Sequence, residues 1–356
     1  MFTGLQKDWP GGMRNIWFQN ILFLAMISFS IILITRPVAT AILFIAILVV
    51  TLVLSLLYRG RVFCLYVCPV GGFLSTYSMA AMTEIRAIDP EIYKKHRSKS
   101  CYCGGPGGWA CPFGQYLGKM DRNNYCGLCT ECIKSCPKEN VGVFVRPFGS
   151  DRVLKGYDEM FNVIIMLVVA LAFSVTMLGP WGVIKDAANV TESRQIMPFL
   201  IYLGIVWSLA LGIFPLFFVL AAKGANRLAG KGVSDRVMIL RLAYLLIPLG
   251  MFSWIAFSLP PMMINYNYIL SVLSDPLGLG WNLFDTADYP FKPFYPEWIP
   301  LLQGVILLTG LYLGLSSVFL GLKDLISDPS LRARGMILPS LFALFVINLF
   351  LKLFLG

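Results

Sequence analysis

All nine cysteines of the chain, Cys64, Cys68, Cys101, Cys103, Cys111, Cys126, Cys129, Cys132 and Cys136, fall inside one stretch of a 356-residue sequence. Cysteines gathered this densely either ligate metal or build a disulfide framework. Residues 126–137 read Cys-Gly-Leu-Cys-Thr-Glu-Cys-Ile-Lys-Ser-Cys-Pro. This C-x2-C-x2-C-x3-C-P run is the spacing that binds [4Fe–4S] clusters. A tight loop carries Cys126, Cys129 and Cys132 around three corners of a cubane. Cys136 sits beyond a turn and points elsewhere, and in two-cluster proteins the Cys-Pro cysteine ligates the other cluster. A zinc site needs only two C-x2-C pairs. A disulfide framework conflicts with the reducing compartment to which the charge pattern assigns this segment.

Two further pieces repeat part of the run. Cys64-Leu-Tyr-Val-Cys68-Pro69-Val70-Gly71 is the second half of it, C-x3-C-P. Cys101-Tyr-Cys103 is followed by Cys111-Pro112-Phe113-Gly114. Cys68 to Leu74 and Cys111 to Leu117 share the pattern C-P-x-G-x-x-L, with Gly107 standing where a cysteine would precede the second copy. Two [4Fe–4S] clusters need eight cysteines and nine are present, so one is spare. The expected division is one cluster on Cys126, Cys129 and Cys132 with Cys68 or Cys111. Cys136, Cys64 and two others would hold the second.

These cysteines must be held at a membrane. The chain is 57% hydrophobic and only 13% charged, too little polar cover for a soluble surface of this size. Seven segments approach the ~20 apolar residues of a spanning helix: 16–35, 38–57, 159–178, 198–222, 238–258, 299–320 and 337–355. Arg241 and Lys352 lie near span ends, where long side chains reach headgroups. The first span is too long for a cleavable signal core. The expected fold is therefore an all-α polytopic membrane protein with about seven helices. A cytoplasmic ferredoxin-like iron–sulfur insert separates helices 2 and 3. The domain boundaries follow as 1–57, 58–157 and 158–356, the last with an outer-face loop at 259–298.

Lys and Arg set the orientation. Lys7, Arg14, the cysteine segment, Lys223, Arg227, Lys231, Arg236, Lys323, Arg332 and Arg334 fall on one side. Arg36, Lys185, Arg194 and Lys292 fall on the other, where 259–298 is acidic through Asp275, Asp285, Asp288 and Glu297. The richer side is cytoplasmic. The net charge of +10 is thus explained without nucleic acid. Trp181, Trp281 and Trp298 are expected at the outer interface, Trp9 and Trp17 at the inner one. Leu259-Pro260-Pro261 is expected to end the fifth span. The aromatic stretch behind it reads as an outer cap or a partner platform.

His96, the one histidine, lies in a basic run and reads as a solvated loop residue. With no histidine in any span, bis-histidine haem b is excluded. Gly104-Gly105-Pro106-Gly107-Gly108 lacks a following Gly-Lys-Ser/Thr and is no phosphate loop. It reads as a turn around a cluster. No nucleotide fingerprint is present.

The pattern Gly60-Arg61-x-x-Cys64-x3-Cys68-Pro-x-Gly71 beside a span, followed by a ferredoxin run, resembles the membrane-bound polyferredoxin family over residues 40–145. Its members include the quinol-dehydrogenase membrane subunit of periplasmic nitrate reductase and the nitrous-oxide-reductase membrane regulator. The chain departs from them in having one complete run where they usually have two. The resemblance implies cytoplasmic-side [4Fe–4S] clusters and electron exchange with quinones or partner subunits. The expected role is a membrane-bound electron-transfer subunit of a respiratory complex in a prokaryotic inner membrane, rather than a stand-alone enzyme. It would link a cytoplasmic-side redox partner to the quinone pool, with Arg59, Arg61 and Tyr66 as quinone contacts near Cys64 and Cys68. The alternative is a membrane factor that matures another metalloprotein. An ion pump is disfavoured by the scarcity of carboxylates in the spans.

Overall fold

The computed structural model describes residues 7–95, 98–177, 182–290 and 292–355. His96, Trp181 and Phe291 lie outside them. The chain opens with α1 (Trp17–Ser28), α2 (Ser30–Thr35) and α3 (Pro37–Leu57). A one-turn π-helix (Phe63–Val67) leads into α4 (Pro69–Ser78). Next come β1 (Thr83–Ala87), α5 (Pro90–Lys95), α6 (Ser100–Cys103), α7 (Glu131–Lys134) and β2 (Val141–Val145). The remainder is helical: α8 (Tyr157–Met177), α9 (Gly182–Ala188), α10 (Val190–Ser193), α11 (Ile196–Ser208) and α12 (Phe214–Leu228). It closes with α13 (Asp235–Leu242), α14 (Leu246–Ser274), α15 (Ile299–Lys323) and α16 (Pro329–Leu355).

Among the described residues, six helical stretches are long and apolar enough to cross a bilayer: Pro37–Leu57, Tyr157–Met177, Ile196–Leu228, Asp235–Ser274, Pro296–Lys323 and Pro329–Leu355. By length and composition the chain is a multi-pass membrane protein. α8 is the most enclosed helix, with Met160 and every residue from Asn162 to Ala170 buried. It packs against α1, α4, α12, α14 and α16. α3 buries no residue, so it offers lipid an apolar surface all round.

Two span expectations need correction. Residues 16–35 do not form one helix, because the chain kinks at Phe29 and leaves α1 only 12 residues long. Ser28 bonds back to the Leu24 carbonyl (2.7 Å) and also accepts the Trp207 indole N–H (2.8 Å). Such a back-bonding serine bends a helix. Pro260 and Pro261 do not end the fifth span either, since α14 runs through both to Ser274. Proline at 260 removes the N–H that would bond the Ala256 carbonyl. The buried Gln303 of α15 replaces it, donating Nε2–H to that oxygen at 2.9 Å. The whole α13–α14 stretch covers 40 residues, about 60 Å of helix, twice the hydrocarbon thickness.

The cysteine segment is bracketed by a two-stranded antiparallel sheet, Thr83 opposite Val145 through Ala87 opposite Val141. A buried ion pair ties it to the membrane helices. Arg146 holds Asp151 through both guanidinium nitrogens and reaches the Met79 and Ala81 carbonyls just beyond α4. Asp151 also accepts the Asn123 backbone N–H (2.6 Å), three residues before Cys126. Four parts of the chain are thereby fixed to one another around a single carboxylate.

Candidate iron–sulfur centre

Cys126, Cys129 and Cys132 lie on a loop wound by left-handed residues. Tyr125, Leu128 and Thr130 have φ of 64°, 49° and 62°. Such conformations are costly for residues with a Cβ, and here one of them lets the Leu128 N–H bond the Cys126 sulfur. These three cysteines and Cys111 line one cavity, walled by Ile85, Phe113, Leu117 and Met120. The ferredoxin-run triad thus meets the Cys-Pro cysteine of another copy. Of the two candidates for the fourth place, the structure brings Cys111 to the cavity and leaves Cys68 outside its lining.

The donor set fits a cationic cluster. Burial, then the neighbouring Cys126, Cys111 and Cys129, push the Cys132 thiol up to about 12. Burial and the neighbouring Cys111 and Cys129 also raise Cys126. Four thiolates cannot share this space unless positive charge sits among them. Among the described residues, no three Cys, His, Asp or Glu side chains converge as ligands of one ion. A cubane asks for something else, one thiolate at each of four irons. Around Cys111, backbone N–H of Gln115 points at the sulfur (3.3 Å), and Cys111 N–H bonds the Tyr102 carbonyl (3.1 Å).

A second pair forms at Tyr93. Its hydroxyl lies 3.5 Å from Cys136 Sγ and also bonds Cys101. Burial pushes the Cys136 thiol up, but the Tyr93 hydroxyl and backbone N–H groups of Asn140, Lys138 and Glu139 outweigh it, and the thiol is lowered. Cys101 stays raised, by burial foremost. Cys103, two residues on in α6, is exposed.

Cys64 and Cys68 neither line that cavity nor bond Tyr93. Cys64 sits in the π-turn and Cys68 caps α4, with Pro69 at the first helical position. Gln19 of α1 donates Nε2–H to both their carbonyls, at 3.0 and 2.9 Å. Gly71 is required, because a Cβ there would lie 2.1 Å from the Cys64 carbonyl oxygen. The two C-P-x-G copies share a turn: Gly71 N–H bonds the Cys68 carbonyl (3.0 Å) and Gly114 N–H that of Cys111 (3.1 Å). They also touch, through Arg61 N–H to the Pro112 carbonyl (3.0 Å) and the Arg61 guanidinium over Phe113 (5.2 Å).

The glycine run forms a tight hairpin, Gly105 bonding Gly108 in both directions, and packs on α7 of the ferredoxin run. A Cβ at Gly107 would lie 2.6 Å from the Lys134 carbonyl oxygen, which explains why this copy lacks its cysteine. Of the expected quinone contacts, Arg59 and Arg61 are exposed, and Tyr66 is stacked on Trp9 at 5.7 Å. Arg61 and Tyr66 are thus engaged with protein groups.

Sequence reading passed over Gln19, Asn20 and Asn162. Asn20 bonds the Asp158 carbonyl (2.8 Å), and Asn162 donates to Asn20 (2.8 Å) and accepts from Thr76 (2.8 Å). Amides inside apolar spans were the available signal.

Residues 40–81 match the 4Fe-4S binding domain family, which covers α3, Cys64, Cys68 and α4. No curated protein and no solved structure matches the chain. The match supports an iron–sulfur protein, and together with the six apolar helices it suggests iron–sulfur electron transfer at a membrane.

Proposed function

We propose that the chain is an electron-transfer subunit of a respiratory redox complex. It would relay electrons between a cytoplasmic-side partner and the membrane quinone pool. The observation that carries this is the cavity lined by Cys111, Cys126, Cys129 and Cys132, on a chain whose neighbouring C-x3-C-P segment starts where a span ends. When bound, a [4Fe–4S] cluster supplies reversible one-electron chemistry. The protein's part is to place the four sulfurs, to screen them from water with Ile85, Phe113, Leu117 and Met120, and to direct N–H groups at the thiolates. A second cluster would be held by Cys101 and Cys136, completed by two of Cys64, Cys68 and Cys103.

The N-terminus and clusters lie on the cytoplasmic side of a prokaryotic inner membrane, with Trp17–Thr35 as a kinked seventh span. Lys and Arg counts support this orientation. So do contacts between helix ends assigned to the same face: Arg36 reaches Thr191 (3.4 Å), and Arg241 reaches Asp324 (3.6 Å). Arg59, Arg61 and Tyr66 lie at the inner membrane level, where a lipid-soluble quinone would meet a cytoplasmic-side cluster.

The test uses chemically reduced full-length protein mixed with a soluble quinone analogue, following cluster reoxidation by absorbance. Fast reoxidation, slowed in Arg61→Gln or Tyr66→Phe but not in Tyr295→Phe, is expected. If the isolated chain does not react, direct exchange with quinone is refuted.

A further inference from the structure

Where the cysteine segment joins the helical bundle, two arginines lie side by side with little to neutralise them. Arg152 belongs to the connection between β2 and α8, and Arg241 to α13. Both flank the bare backbone of Gly321 in α15. A Cβ there would lie 3.1 Å from Arg241 Cδ and 3.6 Å from Arg152 Cβ. The Nε atoms of both are buried and have no hydrogen-bond partner. Among the described residues, the Arg241 guanidinium has one counter-charge, the exposed Asp324 at 3.6 Å. The carboxylate adjacent in sequence to Arg152, Asp151, is already held by Arg146.

A buried guanidinium donor without an acceptor is costly, and two guanidinium groups at close quarters repel. The cost persists in a folded protein when a ligand offsets it. The ligand must be anionic and must present several acceptor oxygens in a forked arrangement, since guanidinium donors pair best in that geometry. The position adds a constraint. Arg152 and Arg241 lie at the end of the bundle that carries the cysteine segment, and Arg241 falls near the end of an apolar span. Basic pockets between membrane helices at this level hold lipid phosphates.

We propose that Arg152 and Arg241, over Gly321, form a binding site for a phosphate oxyanion that bridges the cysteine segment to α13 and α15. The site does not depend on cluster content and stands whether or not the electron-transfer reading does. Two sources carry this group, the headgroup of an anionic phospholipid and free inorganic phosphate.

The experiment uses full-length protein, delipidated and reconstituted in vesicles of phosphatidylcholine alone or of phosphatidylcholine with phosphatidylglycerol. Retained lipid is counted by mass spectrometry after detergent exchange, and unfolding temperature is measured in parallel with and without inorganic phosphate. Wild type is expected to retain phosphatidylglycerol in preference to phosphatidylcholine and to melt higher with it. Arg152→Gln and Arg241→Gln should each weaken retention by about tenfold or more, the worth of one lost charged hydrogen bond. Arg236→Gln, whose side chain sits over Tyr157 instead, should match wild type. Stabilisation of wild type by inorganic phosphate in phosphatidylcholine vesicles, absent in the Gln variants, would assign the site to free phosphate. If the Gln variants do not fold, Arg152→Lys, which keeps the charge and loses the fork, takes their place. The proposal is overturned if wild type shows neither lipid preference nor phosphate stabilisation, or if the variants behave as wild type does.

Discussion

Replacing Cys111 by alanine separates the two ways in which the ferredoxin run could be completed. Cys111 lines the cavity with Cys126, Cys129 and Cys132, whereas Cys68 is held beyond it by Gln19. The substitution removes one of four thiolates from that cavity and none of the five other cysteines. Iron should fall from about eight to about four per chain, half and not all, because one [4Fe–4S] cluster is lost. The fold should survive. Within the chain, the Cys111 sulfur's one described hydrogen bond is from Gln115 N–H, and losing such a bond costs about 1 kcal/mol. The Cys111 backbone bond to Tyr102 is untouched. The assay is iron and acid-labile sulfide per chain on purified membranes, with Cys68→Ala measured alongside and electron paramagnetic resonance of the reduced protein to identify the surviving cluster. Full iron in Cys111→Ala would refute the cavity assignment. So would loss in Cys68→Ala of the signal that Cys129→Ala abolishes, since the fourth ligand would then be Cys68.

Gln303→Leu should lower stability by about 1–3 kcal/mol, because the Ala256 carbonyl is left without a donor. The cost should shrink in a Pro260→Ala background, where a backbone N–H is restored, and thermal unfolding of the four proteins in the cycle checks it. Asp151→Ala should cost about 1.5–3 kcal/mol, because Arg146 loses its bidentate partner but keeps Glu84 at 3.0 Å. Protease release of the cysteine segment from membranes should accelerate in parallel. Gly107→Cys should destabilise and add no iron, since its Cβ would meet the Lys134 carbonyl oxygen at 2.6 Å, which iron analysis and melting together decide.

That Cys126, Cys129 and Cys132 face one space was legible because their spacing is a local property. Two residues between successive cysteines set which loop can wrap a cubane, and 126–132 needs no tertiary information for that. The choice of the fourth ligand was not legible. Cys68 and Cys111 share the sequence C-P-x-G and the same turn, so spacing treats them alike. What separates them lies outside the motif: Gln19 on α1 anchors one copy, and the Tyr102 carbonyl and Gln115 N–H hold the other. The span errors have the same origin. Proline breaks a helix because a donor is missing, and the rule assumes that nothing else supplies it. At Pro260 the donor comes from Gln303, 47 residues from the carbonyl it serves. At Phe29 the opposite holds, since the segment is apolar enough to span but Ser28 finds partners in Leu24 and Trp207 that favour a bend. In an apolar medium each backbone polar group must be satisfied within the protein, so side-chain amides and hydroxyls decide where helices continue or kink. The informative residues in these spans are therefore the few polar ones. Gln19, Asn20, Asn162 and Gln303 all sit in apolar helices, and all make hydrogen bonds that tie separate segments together. Two of them bear on the cysteines: Gln19 holds the carbonyls of Cys64 and Cys68, and Asn162 bonds Thr76 in the helix that Cys68 caps. That pair is thus tied to the apolar helices by amides that hydropathy alone counts as blemishes.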